Sequence, residues 1–450
     1  MNRADRGRES MRKAVVALAV ASVWLSVLSA EELNPSFVIE PVEALMDEIV
    51  GVRVLNLPPH KKTEIILNSQ GMEGRAWFLS DKDGVVDLSK DAPLEGSCYS
   101  TPNPMGLFLF AKRAEAESSV PSSQLADPIV SGLRAEVEGQ TVAEAVLTRR
   151  WLKPQVRVSK IIEPGLRATV FQPREDGLKK AAVITLPGSE GGRNDRDAAL
   201  LASRGYVALA PAYFGEEGLS KDLVNVPVEI VKKGLDFLKS LPDVDPERIG
   251  LLGGSKGAEL ALLAASFYRE IKAVVAYVPS HVVWAGLRGF MGTNESSWTY
   301  EGEPLAFVPF VMAPEFFEML RSDKPWRIGL LYQASLKDSA AVEKALIPVE
   351  RIRGAVLLVS GKDDQLWPSP VMADKIMERL RDHDFPFPFQ HLSYENAGHG
   401  IARAFISMQA SAISGRIDAG GTVAGNAAAT LDSKPRMLKF LDKNLNGEER

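Results

Sequence analysis

The chain has 450 residues, of which 45% are hydrophobic and 25% are charged, and its formal net charge at pH 7 is −5. This composition is typical of a globular protein and excludes a fibrous or intrinsically disordered chain. The length favours two domains over one. Because the sequence contains neither a basic stripe nor a charged tail, we expect no nucleic acid and no anionic membrane surface as a partner.

One cysteine and five histidines limit the metal and redox chemistry. Cys98 alone cannot form an internal disulfide or a multi-cysteine metal site. The histidines are scattered and show no HxH or HExxH spacing. We therefore expect no bound metal and no cofactor.

The first 30 residues are typical of an export signal. Arginine and lysine residues precede an apolar run from Ala14 to Ala30, and an acidic pair follows it. This pattern predicts a secretory signal peptide, cleavage near Ala30 and a periplasmic or extracellular protein, with Met11 as an alternative start. The alternative is an uncleaved anchor formed by residues 14–30, a run at the short limit for a membrane span. No later stretch is long and apolar enough, so we expect no membrane span in the mature body.

Residues 33–155 predict an N-terminal β-sandwich. Short alternating or apolar runs, among them Thr63–Asn68, Gly74–Leu79 and Met105–Ala111, are separated by clusters of turn residues. No 3.6-residue period runs through this part of the chain. Runs at this spacing favour an antiparallel sandwich of about seven strands.

Residues 160–446 predict an α/β domain with a doubly wound, mostly parallel sheet. Apolar strands alternate with helical segments, which implies right-handed crossovers between parallel strands. The predicted strands are Ala182–Leu186, Val207–Ala210, Ile249–Leu252, Ala273–Val278, Ala355–Val359 and Gln390–Tyr394; the predicted helices are Val224–Leu241, Lys256–Phe267 and Pro370–Leu380. In such sheets the chemistry lies at the carboxyl ends of the strands.

The alternation lapses at about residues 284–350. This stretch is rich in aromatic residues and proline. We interpret it as a lid-like insertion over the active site, and the alternative is an excursion that only packs on the sheet.

Gly253-Gly254-Ser255-Lys256-Gly257 fits the G-x-S-x-G pattern of a nucleophile elbow. It follows an apolar strand and precedes a helix, so the serine would occupy a strained strand-to-helix turn. Small residues two before and two after the serine let the backbones cross. Ser255 is therefore the predicted nucleophile.

The predicted base and acid follow later strands. His399 is flanked by glycines in a late loop, and His391 and His383 are poorer alternatives. Asp364 follows the strand at 355–359, and its spacing from Gly361 and Pro368 favours it over Asp363 as the acid that orients the base. The chain order Ser…Asp…His is that of α/β-hydrolases.

The predicted oxyanion hole consists of two backbone N–H groups. One is that of Lys256, the residue after the serine. The other belongs to Ser189 or Glu190, in the loop after the strand at 182–186.

Several segments together resemble the acyl-CoA thioesterase / bile acid-CoA:amino acid N-acyltransferase family. The elbow segment GLLGGSKGAELALLAASF is very similar to the family's, including Lys256, Glu259 and Leu260. Other similar segments are Pro104–Leu107, Pro348–Arg351, Gly361–Trp367, Ala397–His399 and, more loosely, Gly420–Ala429. The resemblance covers residues 38–446. Ala258 departs from it, because the family usually has a second glycine there.

The resemblance implies a β-sandwich followed by an α/β-hydrolase domain that cleaves fatty acyl-CoA to a free fatty acid and CoA. It also implies Ser255, Asp364 and His399 as the triad. By the same resemblance, the N-acyltransferase branch carries a cysteine at the elbow position, so Ser255 favours the thioesterase branch. The alternative function is an exported carboxylesterase or amidase with the same triad, acting on a non-CoA substrate. The oligomeric state is not indicated.

Overall fold

The computed structural model describes residues 34–114, 125–289 and 291–447. The predicted export signal at residues 1–30 lies outside the described residues. Among the helices of the described ranges, none is long and apolar enough to cross a membrane.

Within residues 34–114 and 125–150, the N-terminal part forms nine strands in two sheets. The strands are β1 (Ser36–Glu40), β2 (Glu43–Leu45), β3 (Gly51–Leu55), β4 (Lys62–Ser69), β5 (Met72–Leu79), β6 (Val86–Asp87), β7 (Lys112–Arg113), β8 (Ile129–Val137) and β9 (Gln140–Arg150). A six-stranded sheet has the order β2-β9-β8-β4-β5-β7, and a three-stranded sheet has the order β1-β3-β6. All pairs are antiparallel except that of β2 with β9. Alternate strand residues are buried, as in β8, which is expected when a sheet covers a core with one face.

The prediction of a strand at Met105–Ala111 is wrong. Residues Gly106–Leu109 form a short helix, α1, and all four are buried. Because the run is continuously apolar, it has no period that separates a strand from a buried helix. Burial on all sides explains why these residues are all apolar. The same burial removes the periodic pattern from which a helix could have been predicted.

The C-terminal part is built on an eight-stranded, mostly parallel sheet. Its strands are β10 (Arg157–Glu163), β11 (Leu166–Gln172), β12 (Lys180–Leu186), β13 (Val207–Ala212), β15 (Val244–Gly254), β16 (Ile271–Tyr277), β21 (Ala355–Gly361) and β22 (Phe389–Tyr394). Their order is β10-β11-β13-β12-β15-β16-β21-β22. Only the pairs β10–β11 and β11–β13 are antiparallel. The predicted doubly wound α/β-hydrolase class is confirmed.

Helices cover both faces of this sheet. They are α2 (Asp195–Ala202), α3 (Glu229–Ser240), α4 (Lys256–Phe267), α8 (Ser369–Asp382) and α9 (Val423–Leu441). Helices α3, α4 and α8 share a core with Ile184 of β12, whereas α2 and α9 share a second core with the adjacent Val183. Successive strand residues point to opposite faces, so one apolar strand serves both cores.

Residues 285–345 form an excursion between β16 and β21. It contains β17 (Ala285–Arg288), β18 (Met291–Ser296), β19 (Trp298–Tyr300), β20 (Glu303–Pro304), α5 (Pro314–Arg321), α6 (Gly329–Ser335) and α7 (Ser339–Ala345). Strands β17 and β18 form a hairpin, and β19 pairs with β20 and with β14 (Val226–Pro227). A 3₁₀ turn at Val349–Arg351 leads into β21. After β22, the two-residue strands β23 (Ile413–Ser414) and β24 (Ile417–Asp418) pair with each other. Residues Asp442–Asn446 form a π turn after α9.

The loop after β22 packs against the N-terminal sheets. Phe405 N–H donates to the Met46 carbonyl and Met408 N–H to the Leu109 carbonyl, each at 2.8 Å. The buried Arg149 guanidinium donates to the Phe405 carbonyl at 2.6 Å, and burial lowers the pKa of Arg149 to about 9. Phe405 and Met408 belong to the apolar core of the N-terminal sheets. The two parts of the chain therefore share one packed boundary.

A buried ion pair crosses the same boundary, and its loss provides a test. The Asp47 carboxylate lies 2.9 Å from Lys434 Nζ of α9 and 2.8 Å from Arg204, and the Asp47 and Lys434 side chains are fully buried. We expect Asp47→Asn to lower the free energy of unfolding by about 3 kcal/mol, because an unpaired ammonium would stay buried. Urea denaturation at neutral pH measures this loss.

The control is the exposed pair between Lys61 and Glu138. We expect no measurable loss in Glu138→Gln, because solvent screens such pairs. An equal loss in both variants would contradict a special contribution of the buried pair.

Candidate active site

Ser255 occupies a strained turn between β15 and α4. Its backbone angles are φ 55° and ψ −121°, outside the regions that residues with a Cβ favour. Its N–H donates to the Tyr277 carbonyl at 2.9 Å, which continues the pairing of β15 with β16 by one residue. The sheet therefore holds the serine backbone in a conformation that it would not adopt alone.

Two glycines make this turn possible. A Cβ on Gly257 would lie 2.1 Å from the Pro187 carbonyl oxygen, and a Cβ on Gly253 would lie 2.2 Å from the Gly257 oxygen. Contacts below 3 Å with backbone atoms cannot be relieved by a side-chain movement. The first turn of α4 can therefore approach the end of β12 only because these positions lack a side chain.

The Asp364 carboxylate contacts His399 directly. His399 Nδ1 lies 2.9 Å from Oδ2 and 3.1 Å from Oδ1 of Asp364. The carboxylate also accepts hydrogen bonds from the backbone N–H groups of Leu366 and Trp367 and from the Ser369 hydroxyl. Asp364 is 4% exposed. A buried carboxylate with this many donors is held in one orientation and suits the role of fixing an imidazole.

The carboxylate of the neighbouring Asp363 makes different contacts. It is exposed, and its carboxylate accepts from the Gly421 N–H and from the Gln365 side chain. The structure thus places Asp364, and not Asp363, against the histidine.

His399 lies in a loop that packs against other parts of the chain and reaches the elbow through Arg403. Its N–H donates to the Ala419 carbonyl at 2.8 Å, and its ring lies edge-on to Trp367, with centroids 5.9 Å apart. Arg403, four residues later, reaches back to the elbow, so a Cβ on Gly254 would lie 2.9 Å from its guanidinium. Arg403 is held there by the buried Asp197 of α2.

The three predicted residues follow three strands of the same sheet. Ser255 comes after β15, Asp364 after β21 and His399 after β22, and these strands are parallel. Parallel strands end at one sheet edge, so the side chains share that edge. Asp364 and His399 are in contact; among the described residues no hydrogen bond joins His399 to the Ser255 hydroxyl. Catalytic hydrogen bonds often tighten only when substrate binds.

The loop predicted to complete the oxyanion hole begins beside the elbow. The Pro187 and Gly188 carbonyls accept hydrogen bonds from the Tyr213 hydroxyl at 2.8 Å, and the Glu190 carboxylate accepts from the Gly188 N–H at 2.9 Å. Ser189 and Glu190 themselves are exposed. The loop is therefore anchored at its start and presents both residues toward solvent. Lys256 is the first residue of α4, so its N–H is one of the helix-terminal donors that no helical carbonyl accepts from.

The other histidines of the C-terminal part have separate environments. His391 bonds to the Ser360 hydroxyl and to Asp374, and His383 bonds to the Arg379 carbonyl. His281 is 8% exposed, and burial lowers its pKa to about 4. Within the described ranges, no three His, Cys, Asp or Glu side chains form a group that could hold a metal ion.

Two residues of the site were not predicted from the sequence. Ser369 donates to Asp364, and the Trp367 indole donates to the Val278 carbonyl while its ring lies beside His399. Both lie within five residues of Asp364: Trp367 is inside the segment 361–368 that suggested the acid, and Ser369 directly follows it. Their closeness in sequence to Asp364 was the available signal.

Comparisons with known proteins define the family. The model described as "Acyl-CoA thioester hydrolase/BAAT N-terminal region" matches residues 47–163, and "BAAT / Acyl-CoA thioester hydrolase C terminal" matches residues 226–447. Acyl-coenzyme A thioesterase 2, mitochondrial, of Mus musculus is 30% identical over 430 residues, which cover 92% of this chain and 90% of that protein. The chain belongs to the acyl-CoA thioester hydrolase/BAAT family. The resemblance seen in the sequence is confirmed.

Other similar proteins include both thioesterases and an N-acyltransferase. Acyl-coenzyme A thioesterase 1 of Mus musculus is 30% identical over 89% of this chain and 94% of its own length. Acyl-coenzyme A amino acid N-acyltransferase 1 of Mus musculus is 29% identical over 90% of this chain and 96% of its own length.

Solved structures resemble the chain more distantly. A dienelactone hydrolase-like promiscuous phosphotriesterase from metagenomic libraries has a TM-score of 0.41 at 16% identity, over 64% of this chain and 99% of its own. A puromycin-hydrolyzing peptidase of Mycobacterium tuberculosis has a TM-score of 0.43 at 16% identity, over 89% of this chain and 53% of its own.

The crowding around Gly257 generates a testable prediction. In Gly257→Ala the added methyl group must push α4 away from Pro187, which displaces Ser255 and the Lys256 N–H together. We expect covalent labelling of Ser255 by a fluorophosphonate to slow by about 100-fold, since misplacements of about 1 Å have effects of this size.

The matched control is Gly132→Ala in β8, where a Cβ would meet nothing within 4 Å. It should be labelled at the wild-type rate. Labelling of Gly257→Ala within threefold of wild type would show that the close approach is not needed to place the serine.

Proposed function

We propose that this family member is an acyl-CoA thioester hydrolase in which Ser255 is the nucleophile, His399 the general base and Asp364 the acid that orients it. The observation that carries the proposal is the contact of His399 Nδ1 with the buried Asp364 carboxylate, at the sheet edge where Ser255 occupies its strained turn. An imidazole held by a carboxylate, at the same sheet edge as a serine in an elbow turn, supports activation of that serine. Ser255 needs a base to accept its hydroxyl proton, and His399 needs the Asp364 carboxylate to orient its ring.

The proposed reaction has two halves. Ser255 Oγ attacks the thioester carbonyl carbon while His399 Nε2 accepts the hydroxyl proton, and the C–S bond then breaks. The imidazolium returns that proton to the departing sulfur, so CoA leaves as a thiol. Water then attacks the acyl-serine, again losing a proton to His399, and the free acid leaves as the proton returns to Ser255. Asp364 remains ionised and stabilises the imidazolium in both halves.

The charge that develops on the carbonyl oxygen needs donors. We assign the N–H of Lys256 as one donor and the N–H of Ser189 or Glu190 as the other. The free N–H at the start of α4 and the anchoring of the 187–190 loop by Tyr213 support this assignment. Loss of one such donor typically slows an enzyme by about 10² to 10³.

The family relationship favours a thioester over the ester or amide of the alternative function. Relatives that cover most of the chain are named acyl-coenzyme A thioesterases. A serine acyl-enzyme that water attacks yields hydrolysis, which agrees with those names. We further propose that residues 284–350 act as a lid that contributes to acyl-chain selection. The contact of Tyr332 with Trp367, the neighbour of His399, supports a location beside the base.

The decisive measurement is thiol release from long-chain acyl-CoA by purified residues 31–450. We expect Ser255→Ala and Asp364→Asn to lower kcat by at least about 10⁴- and 10²-fold, because one loses the nucleophile and the other the oriented base. Asp363→Asn is the matched control and should retain wild-type kcat, since its side chain faces Gln365 and Gly421.

Two outcomes would contradict the proposal in different ways. Ser255-dependent cleavage of aryl esters without thiol release from acyl-CoA would leave a hydrolase but exclude CoA as the leaving group. Equal loss in Asp363→Asn and Asp364→Asn would instead contradict the assignment of the acid.

We also propose that residues 1–30 export the protein. The basic residues, the apolar run and the small residue at Ala30 support cleavage after that position. When the full chain is expressed with a C-terminal tag in a Gram-negative host, we expect a soluble periplasmic product whose N-terminus is Glu31. The control Leu18→Arg, which interrupts the apolar run, should remain uncleaved. A full-length product in the membrane fraction would favour the anchor formed by residues 14–30.

A further inference from the structure

The residue after the serine carries a buried ammonium whose donors are all used. Lys256 Nζ donates to Glu259 Oε1 at 2.9 Å, to Oε2 at 2.7 Å and to the Ser297 hydroxyl at 2.8 Å. The Lys256 side chain is 2% exposed and that of Glu259 is fully buried. Burial lowers the pKa of Lys256 and raises that of Glu259, while the attraction between the two charges opposes both shifts. This lysine therefore cannot reach a substrate.

The Glu259 carboxylate also holds both ends of the β17–β18 hairpin. Its Oε1 accepts from the Trp284 backbone N–H at 3.1 Å and from the Trp298 indole N–H at 2.7 Å. The Ser297 hydroxyl, which accepts from Lys256 Nζ, donates a hydrogen bond to the Ala285 carbonyl at 3.0 Å. The hairpin begins at Ala285 and ends at Ser296. One carboxylate thus holds residues 284–298, which we call the root of the excursion, against the first turn of α4.

An aromatic chain continues from this root to the base. The Trp284 ring lies edge-on to Tyr332 with centroids 4.7 Å apart, Tyr332 lies edge-on to Trp367 at 5.6 Å, and Trp367 lies edge-on to His399 at 5.9 Å. Trp367 is also a backbone donor to Asp364. The groups on either side of the proposed reaction centre are therefore braced through the same excursion.

A contribution to stability does not by itself explain the buried Lys256–Glu259 pair. Desolvation of two charges offsets much of their attraction, and apolar side chains of similar volume often stabilise a core at least as well. A fully satisfied buried network does, however, fix the relative positions of the elements that it joins. At this location the elements joined are the elbow and the root of the excursion.

We propose that Glu259 is a positioning residue that holds the Lys256 N–H and the 284–298 root in register with Ser255. This inference rests on the proposed function, because it gives the Lys256 N–H the role of oxyanion donor. The root stays fixed while substrate enters, and any opening of the excursion takes place beyond Trp298. Glu259 acts only through Lys256 and the tryptophans.

The test compares Glu259→Gln, Lys256→Met and the double variant. In Glu259→Gln one of the two oxygens that accept from Lys256 Nζ becomes an NH2 group, which cannot accept. The ammonium is then left buried without a counter-ion, and we expect the contacts of residue 259 with both tryptophans to loosen. We expect kcat for acyl-CoA and the rate of fluorophosphonate labelling of Ser255 to fall together by about 30- to 100-fold, with KM within threefold, because the misplaced group is an oxyanion donor. The double variant buries no unpaired charge but also loses the three hydrogen bonds of the Lys256 ammonium. Its thermal midpoint should therefore recover, whereas kcat and the labelling rate should stay lowered.

Asp47→Asn is the matched control for general destabilisation. It also breaks a fully buried carboxylate–ammonium pair, but one that joins the N-terminal segment to α9 and includes no residue of the elbow. Its thermal midpoint should fall, whereas its labelling rate, measured well below that midpoint, should equal that of wild type.

Hydrogen exchange separates this inference from the proposed function. Peptides covering residues 283–299 should exchange faster in Glu259→Gln than in wild type or Asp47→Asn, whether or not the protein cleaves acyl-CoA. Unchanged exchange in that region overturns the inference even if thiol release is confirmed. A lower thermal midpoint with unchanged kcat and labelling likewise overturns it. Absence of labelling and thiol release in wild type overturns the proposed function, and the exchange result still decides the positioning role.

Discussion

The close approach of α4 to the end of β12 is the constraint on which this sheet edge depends. Gly257 lies directly against the Pro187 carbonyl, and Gly253 lies against Gly257. This crowding leaves Ser255 no relaxed conformation, and the pairing of its N–H with Tyr277 holds it at positive φ. Strain of this kind persists only where the surroundings determine it. The loop at 187–190, the Lys256 N–H and the buried Lys256–Glu259 pair all take their positions from this contact.

The proposed acid, Asp364, and the proposed base, His399, are fixed by different means. Asp364 is held by donors within its own loop, Leu366, Trp367 and Ser369. His399 is held by remote parts of the chain, through Ala419 and through the docking of the following loop on Met46 and Leu109. Local chemistry therefore places the carboxylate, and tertiary packing places the imidazole that it orients. The aromatic contact between Trp367 and His399 joins the two arrangements.

The sequence predicted those features whose cause is local. Helix Lys256–Phe267 was found with the predicted bounds, because a strained serine turn begins it and its apolar residues continue without interruption. The spacing within 361–368 distinguished Asp364 from Asp363. The joining of Glu259 to Trp284 and Trp298 was not predicted, since partners 25 and 39 residues away leave no periodic trace. Helix Val423–Leu441 was also missed, because glycine precedes it and Pro435 lies inside it, both usual signs of a break.

The docking of the His399 loop on the N-terminal sheets has a consequence for how the protein is made. A chain cut near residue 160 would retain the serine, the aspartate and the histidine, yet Phe405 and Met408 would lose the core that covers them. During synthesis and export the N-terminal sheets come before the rest of the chain, so the surface that receives this loop precedes His399. The placement of His399, and with it hydrolytic activity, is then completed only after both halves of the polypeptide have folded.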